Sequence, residues 1–298
     1  AGMLEFEAAL ARAQARVGLV PAEAAEVIGR HCQAQEMDLD ALAQAIVLAG
    51  NTAIPLVKML GRQIAAESPE AERYLHLGAT SQDAMDTGLV LQLRRAVDLL
   101  EQQLAELGEQ LSAQARRHAS TVMPGRTWLQ HATPVTLGMK LASVLGSVSR
   151  HRLRLQEMRH RLLSLQFGGA SGTLAALGEQ AWPVAEALAD ELQLSLPEQP
   201  WHTQRDRLAE LAGWLGSLAG TLGKLGRDLS LLMQTEAGEV FEPAAPGKGG
   251  SSTNPHKRKP VGAAVLIHAG TTVILSLVNG LGAHAVAGFG AAQRLDHL

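Results

Sequence analysis

The chain has 298 residues, 46% of them hydrophobic and only 3% aromatic, so it can bury a large aliphatic core of roughly one or two domains, a profile that predicts an all-α bundle. A formal net charge of −3 excludes a general attraction to nucleic acid or to anionic membranes. A single cysteine, Cys32, excludes an intramolecular disulfide framework and a cysteine-based zinc site, and it fits a reducing cytoplasm.

The opening stretch AGMLEFEAALARAQARVG is amphipathic and lacks the basic region and apolar run of a secretory signal, so a cytoplasmic protein is expected. Apolar periodicity predicts helices over 3–17, 21–32, 39–48 and 54–65, which together are expected to form a small N-terminal helical domain, 1–75. A long heptad seam follows through Leu89, Leu93, Val97, Leu100, Leu104, Leu107 and Leu111. Leu141, Val144, Val148, Leu155, Met158, Leu162 and Leu165 predict a second long helix, entered at Pro134. The glycine group FGGASGT at 167–173 lacks the lysine of a phosphate loop and reads as a turn between bundle helices. Another seam runs from Leu208 through Leu211, Leu215, Leu218, Leu222, Leu225, Leu229 and Leu232. These seams predict an elongated long-helix bundle over 76–298. From 261 to 293 there is no Asp, Glu, Lys or Arg, a length that could span a bilayer. Its histidines, threonines, asparagine and glycines favour instead a helix buried at the centre of an oligomeric bundle.

Chemistry-bearing residues concentrate in three stretches. The first, HLGATSQDAMDT at 76–87, contains a helix-capping pattern in which Ser81 could cap a helix entered at Asp83. The second is GRTWLQHATPVTLG at 125–138, and the third is GGSSTNPHKRKP at 249–260. In the third, Pro255 suits the first turn of a helix, and Ser251, Ser252 and Asn254 before it are capping types. Lys257, Arg258 and Lys259 beside that helix start would make a pocket for small polyanions such as carboxylates. A bare HKRK would read as a solvated basic turn; the glycines and hydroxyls upstream reverse that reading.

The third stretch resembles the GSSxMPxKxNP motif of the fumarase/aspartase superfamily, and the other two resemble that superfamily's first and second conserved regions, in the same order. The Trp of GRTWLQ and the run TSQDAMDT are similar to the bacterial 3-carboxy-cis,cis-muconate lactonizing enzymes within it. The resemblance spans about 3–277. It implies a homotetramer whose active sites are each shared between subunits, a small polyanionic substrate, and no cofactor or metal. It implies a cycloisomerase of aromatic catabolism, in which a substrate carboxylate adds to an alkene while a proton moves at the adjacent carbon.

By this resemblance Ser251, with Ser252 adjacent, transfers the proton, and Lys257 stabilises the enediolate-like charge. Thr80, Ser81 and Gln82 of the first region, and Thr127 and Gln130 of the second, correspond to carboxylate-binding residues. His76 matches an active-site histidine of related lyases, and His131 adjoins Gln130. His31, His118, His151 and His160 are expected at the surface or satisfied in the core. Trp128 stands where fumarases and lyases carry a histidine, which disfavours the alternative of an argininosuccinate- or adenylosuccinate-type lyase releasing fumarate. A further alternative is a non-catalytic helical scaffold of the same fold, against which Ser251, Lys257 and the TSQD run stand. Asn254 replaces the usual Met and Lys259 the usual Asn, departures that could suit a sulfomuconate. The family's small C-terminal domain is expected to be missing after the bundle.

Overall fold

The computed structural model of the chain describes residues 1–241. The cationic loop at 249–260, the charge-free stretch 261–293 and the expectation of a missing C-terminal domain lie outside the described residues. Within them the all-α expectation is borne out by nine α-helices, with one exception, a two-stranded antiparallel hairpin. Contacts divide the molecule into two compact units.

The first unit comprises Ala1–Asp98 and Arg159–Leu208. It contains α1 (Gly2–Arg16), α2 (Ala22–His31), α3 (Leu39–Ala49), α4 (Ala53–Glu67) and the short α5 (Pro69–Glu72). To these are added the start of α6 (Ser81–Arg117), the end of α7 (Leu137–Leu162) and α8 (Ala181–Leu192). The predicted helices correspond to α1–α4 within a residue or two, because their apolar faces set the period. Leu4, Ala11, Ile28, Leu42, Leu56, Leu60 and Ile64 meet in one core. The ends are fixed by caps. Asp38 accepts a hydrogen bond from Ala41 N at 3.0 Å before α3, and Asn51 Oδ1 accepts from the amides of Ala53 and Ile54 at 2.9 and 3.0 Å before α4. α8 packs on α1, with ion pairs Arg12–Glu191 and Arg16–Asp190 along its edge.

The second unit comprises Leu99–Met158 and the described residues from Ala209 onward. Three long helical stretches form it: α6 from Leu99, α7 to Met158, and α9 (Asp206–Leu232) from Ala209. Their seams are buried at Leu104, Leu111, Val144, Val148, Leu155, Leu211, Leu215, Leu218 and Leu225, while Leu100, Leu107, Leu141, Leu222 and Leu229 of the same seams are half-buried. His151 is buried in this core but only half satisfied: Nε2 lies 2.9 Å from Thr221 Oγ1 and the ring stands edge-on to Trp214, while Nδ1 has no hydrogen-bond partner among the described residues.

The hairpin corrects the reading of the second motif. Strand β1 (Val122–Thr127) pairs with β2 (Gln130–Thr136), so Pro134 lies in a strand and α7 begins only at Leu137. Thr136 caps α7, its hydroxyl accepting from Met139 N at 3.1 Å. Gly138 is needed at the junction, since a Cβ there would lie 2.4 Å from the carbonyl oxygen of Ala115.

Candidate active site

The first motif is built around Asp83. Helix α6 starts at Ser81, and the Asp83 carboxylate reaches back to accept from Thr80 N at 3.0 Å, so the expected Ser81 cap is instead a Thr80/Asp83 arrangement. The same carboxylate accepts from Gly168 N at 3.0 Å, Gly169 N at 2.9 Å and Gln166 Nε2 at 3.0 Å. The glycine group read as a plain turn is therefore also a cradle of donors. Asp83 is fully buried. Burial pushes its carboxyl above the ordinary range, against the opposing pull of Gln166 and the three amides.

Asp86 and Thr87 continue this anchoring face at i+3 and i+4 from Asp83. Asp86 takes a bidentate pair from Arg205 at 2.6 and 2.9 Å, and Arg205 also lies 5.2 Å from the centre of the Trp201 ring. Thr87 exchanges hydrogen bonds with the backbone of Gln166 at 2.8 and 3.0 Å, and Gln166 Oε1 accepts from Trp201 N at 2.6 Å. Asp83, Asp86 and Thr87 thus lock the start of α6 to 163–169 and 200–205. Sequence reasoning gave Asp83 only the place of an acid in the first helical turn, and Asp86 and Thr87 no role. Three polar residues at helical spacing on a face otherwise apolar were the signal.

The proposed substrate-binding residues of this motif lie on the upper rim of that anchor. Thr80 precedes α6, and Ser81 and Gln82 occupy its first turn, all half-buried. Their position favours an anion, because a helix start carries partial positive charge from its unpaired amides. Asn51 Nδ2 donates to Ser81 Oγ at 3.3 Å, so the same asparagine that caps α4 also orients the serine. Sequence reasoning missed Asn51; its capping chemistry was legible, its reach to Ser81 was not. His76 sits just upstream in left-handed backbone, φ +59°, with Gly78 at φ +73°. A Cβ at Gly78 would lie 2.4 Å from Leu177 Cδ2, so any other residue there would have to displace the Leu177 side chain as well as adopt left-handed backbone.

The second motif presents its groups differently. Thr127 and Gln130 close the hairpin as a cross-strand pair, with Trp128 and Leu129 as the two-residue tip. Both tip residues have positive φ, +53° and +61°, a turn that ordinarily takes Asn-Gly. Trp128 is 95% exposed, and Thr127, Gln130 and His131 are exposed as well. Below the tip, a register shift at Gly125 brings the strands so close that a Cβ would lie 2.5 Å from Thr133 O. Arg126 then makes a two-point pair with Glu239, Nη1–Oε2 2.7 Å and Nη2–Oε1 2.5 Å, which holds the Glu239 carboxyl below its ordinary range.

The structure thus gathers His76, Thr80, Ser81 and Gln82 in the first unit and Thr127, Trp128, Gln130 and His131 on one hairpin of the second. Ser251, Ser252, Asn254, Lys257 and Lys259 lie outside the described residues. Among the described residues no group of three or more histidine, cysteine or acidic side chains could hold a metal ion, and no helix is long and apolar enough to cross a membrane.

Comparison with known proteins bears on this arrangement. The family described as Lyase matches residues 2–275. The chain is 72% identical over 270 residues to a 3-carboxy-cis,cis-muconate cycloisomerase of Pseudomonas aeruginosa, covering 91% of this chain and 59% of that protein. To the cycloisomerase of the same name from Pseudomonas putida it is 70% identical over 272 residues, covering 91% and 64%. The crystal structure of 3-carboxy-cis,cis-muconate lactonizing enzyme from Pseudomonas putida superposes with a TM-score of 0.88 at 71% identity, covering 93% of this chain and 62% of that one. The chain spans about three-fifths of the length of the curated relatives it matches.

Proposed function

Because the chain belongs to the lyase family of the fumarase/aspartase superfamily, we propose that it acts as a cofactor-independent cycloisomerase closing 3-carboxy-cis,cis-muconate, or a sulfo analogue, to a lactone. The observation that carries this reading is identity of 70% or more to cycloisomerases over nine-tenths of the chain. In the proposed reaction a substrate carboxylate oxygen forms the new C–O bond at one alkene carbon. The displaced electron pair moves onto the carbon beside a second carboxylate, which gains enediolate character until that carbon takes a proton. No nucleophilic side chain is required. What is required is positioning, anion stabilisation and one proton donor.

Thr80, Ser81 and Gln82 at the start of α6 would hold one carboxylate, with His76 beside them. Thr127, Gln130, Trp128 and His131 on the hairpin would supply further binding groups for a substrate. Ser251, with Ser252 adjacent, would deliver the proton; Lys257 would stabilise the enediolate and the serine alkoxide left behind. Asn254 and Lys259 would select the anionic substituent. A homotetramer with sites completed between subunits suits a motif whose groups all point outward, as the exposed hairpin does.

The test is to supply the protein, after confirming by light scattering a mass of four chains, with 3-carboxy-cis,cis-muconate, following loss of diene absorbance and identifying the product by NMR. A lactone is expected, and Ser251→Ala should lower turnover about a hundredfold while changing KM little. Unchanged diene absorbance, release of fumarate when argininosuccinate or adenylosuccinate is supplied instead, or a monomer that turns over at full rate would overturn this reading.

A further inference from the structure

Helix α1 carries two buried polar side chains seven residues apart, Glu7 and Gln14, on the face it turns toward the first motif. Gln14 Nε2 donates to Leu77 O at 2.7 Å, and Glu7 Oε1 lies 2.7 Å from His76 Nδ1. Both therefore meet the same left-handed turn. Glu7 is 1% exposed, and its second oxygen, Oε2, is buried with no hydrogen-bond partner among the described residues. A buried carboxylate is costly unless something compensates it. Here the compensating group is the imidazole of His76, itself only 19% exposed. A hydrophobic side chain at position 7 would carry no such cost, so the carboxylate points to a task at His76.

We propose that Glu7 is a positioning residue for His76: it holds the ring through Nδ1 and so presents Nε2 as the donor to a substrate carboxylate. This rests on the cycloisomerase reading for the identity of the ligand, but not for the geometry. With the Nδ1 proton committed to Glu7, a ring that takes a second proton on Nε2 becomes an imidazolium aimed at an anion. The charged groups that bear on the ring are Glu7 from α1 and Asp83 from α6. Burial draws the imidazole down, but the hydrogen bond and charge of Glu7, with the charge of Asp83, more than offset it, and the net shift is upward. Cys32 does not compete for this role: burial, reinforced by the Glu7 charge against the opposing Arg12, pushes its thiol up to about 12, so it stays neutral.

The signs then follow. The ring keeps its charge to higher pH with Glu7 than without it, so loss of Glu7 should matter more as pH rises. NMR titration of the histidines, with His76→Gln to assign the signal, should place wild-type His76 above an ordinary histidine, with the Nδ1 proton retained. In Glu7→Gln that titration should move to lower pH, while Glu7→Asp, which keeps the charge, should restore part of the difference. In turnover of 3-carboxy-cis,cis-muconate, Glu7→Gln should raise KM about tenfold near about pH 8 but only about twofold near about pH 6, with kcat within about twofold throughout. A wild-type His76 that titrates below the ordinary range overturns the proposal whether or not the variants fold, as does a titration unchanged in Glu7→Gln or a KM defect independent of pH. Because the titration needs no substrate, it separates failure of this inference from failure of the cycloisomerase reading.

Discussion

The stretches at 76–87 and 125–138 both carry proposed substrate-binding groups, yet they are held by opposite means. At the first, Asp83, Asp86 and Thr87 are buried and saturated with partners drawn from chain about eighty residues or more away. At the second, the residues in question stand on the exposed tip of a hairpin, and the backbone beneath them is fixed by a register shift, a two-point ion pair and a glycine junction. One site is made rigid from below by burial; the other is supported at its base and left open at its end. The difference teaches that polar residues within one motif divide the labour, some touching ligand and others securing those that do.

The comparison can be broken most sharply at Asp83. Removing its carboxylate leaves two glycine amides, the Thr80 amide and the Gln166 side chain without their acceptor in a site closed to water. Asp83→Ala should therefore cost about 3–5 kcal/mol in urea unfolding, whereas Trp128→Ala at the exposed tip should stay within about 0.5 kcal/mol while lowering turnover. Equal losses from the two variants would show that the tip is also a stability element.

A smaller effect is expected at the base of the hairpin. Glu239 is held below its ordinary value by the hydrogen bonds of Arg126, against some opposing desolvation, with further help from the charges of Arg126, Lys140 and His131. A carboxyl depressed in the folded state stabilises above its unfolded value of 4.5 and loses that contribution as pH falls through its lower folded value. Arg126→Met should cost about 1 kcal/mol at neutral pH, less in high salt, and should flatten the acid limb of stability against pH. An acid limb identical to that of the parent protein would remove the pair from the account of how the hairpin is supported.

The smallest change should be a gain. Trp128 and Leu129 both occupy left-handed backbone, which costs a side chain with a Cβ and suits Asn-Gly. Replacing the tip by Trp128→Asn with Leu129→Gly should raise stability by about 0.5–1 kcal/mol and lower turnover, a trade expected where strain serves a site. Unchanged turnover would mean that the Trp128 ring has no part in the reaction.

The long helices were legible because a seam of leucines at steps of three and four survives any detail of packing. The hairpin was not. Pro124 and Pro134 face each other across it, and proline and glycine in short strands erase the alternation by which a strand is read. The start of α7 was misplaced for the same reason: Pro134 resembles a helix entry, and the working cap is Thr136 two residues later. At the candidate site the residue types of TSQD could be read, but their division of roles could not, since whether a side chain faces ligand or a distant backbone amide depends on which chain folds over it. Glu7 offered still less, being one acid in an amphipathic helix whose partner lies sixty-nine residues away.

The first unit is discontinuous in sequence, Ala1–Asp98 being completed only by Arg159–Leu208. On a ribosome delivering about 5–20 residues per second, α1–α5 and their shared core can close early, while Asp83 waits without Gly168 and Gly169 until the whole of Leu99–Met158 has emerged. During that interval the start of α6 has its carboxylate but not the amides that enclose it, and a bare carboxylate is best kept in water. The first motif is therefore among the last parts of its own unit to acquire a fixed shape during synthesis, and the order of translation places the hairpin in the nascent chain before the turn at His76 is locked.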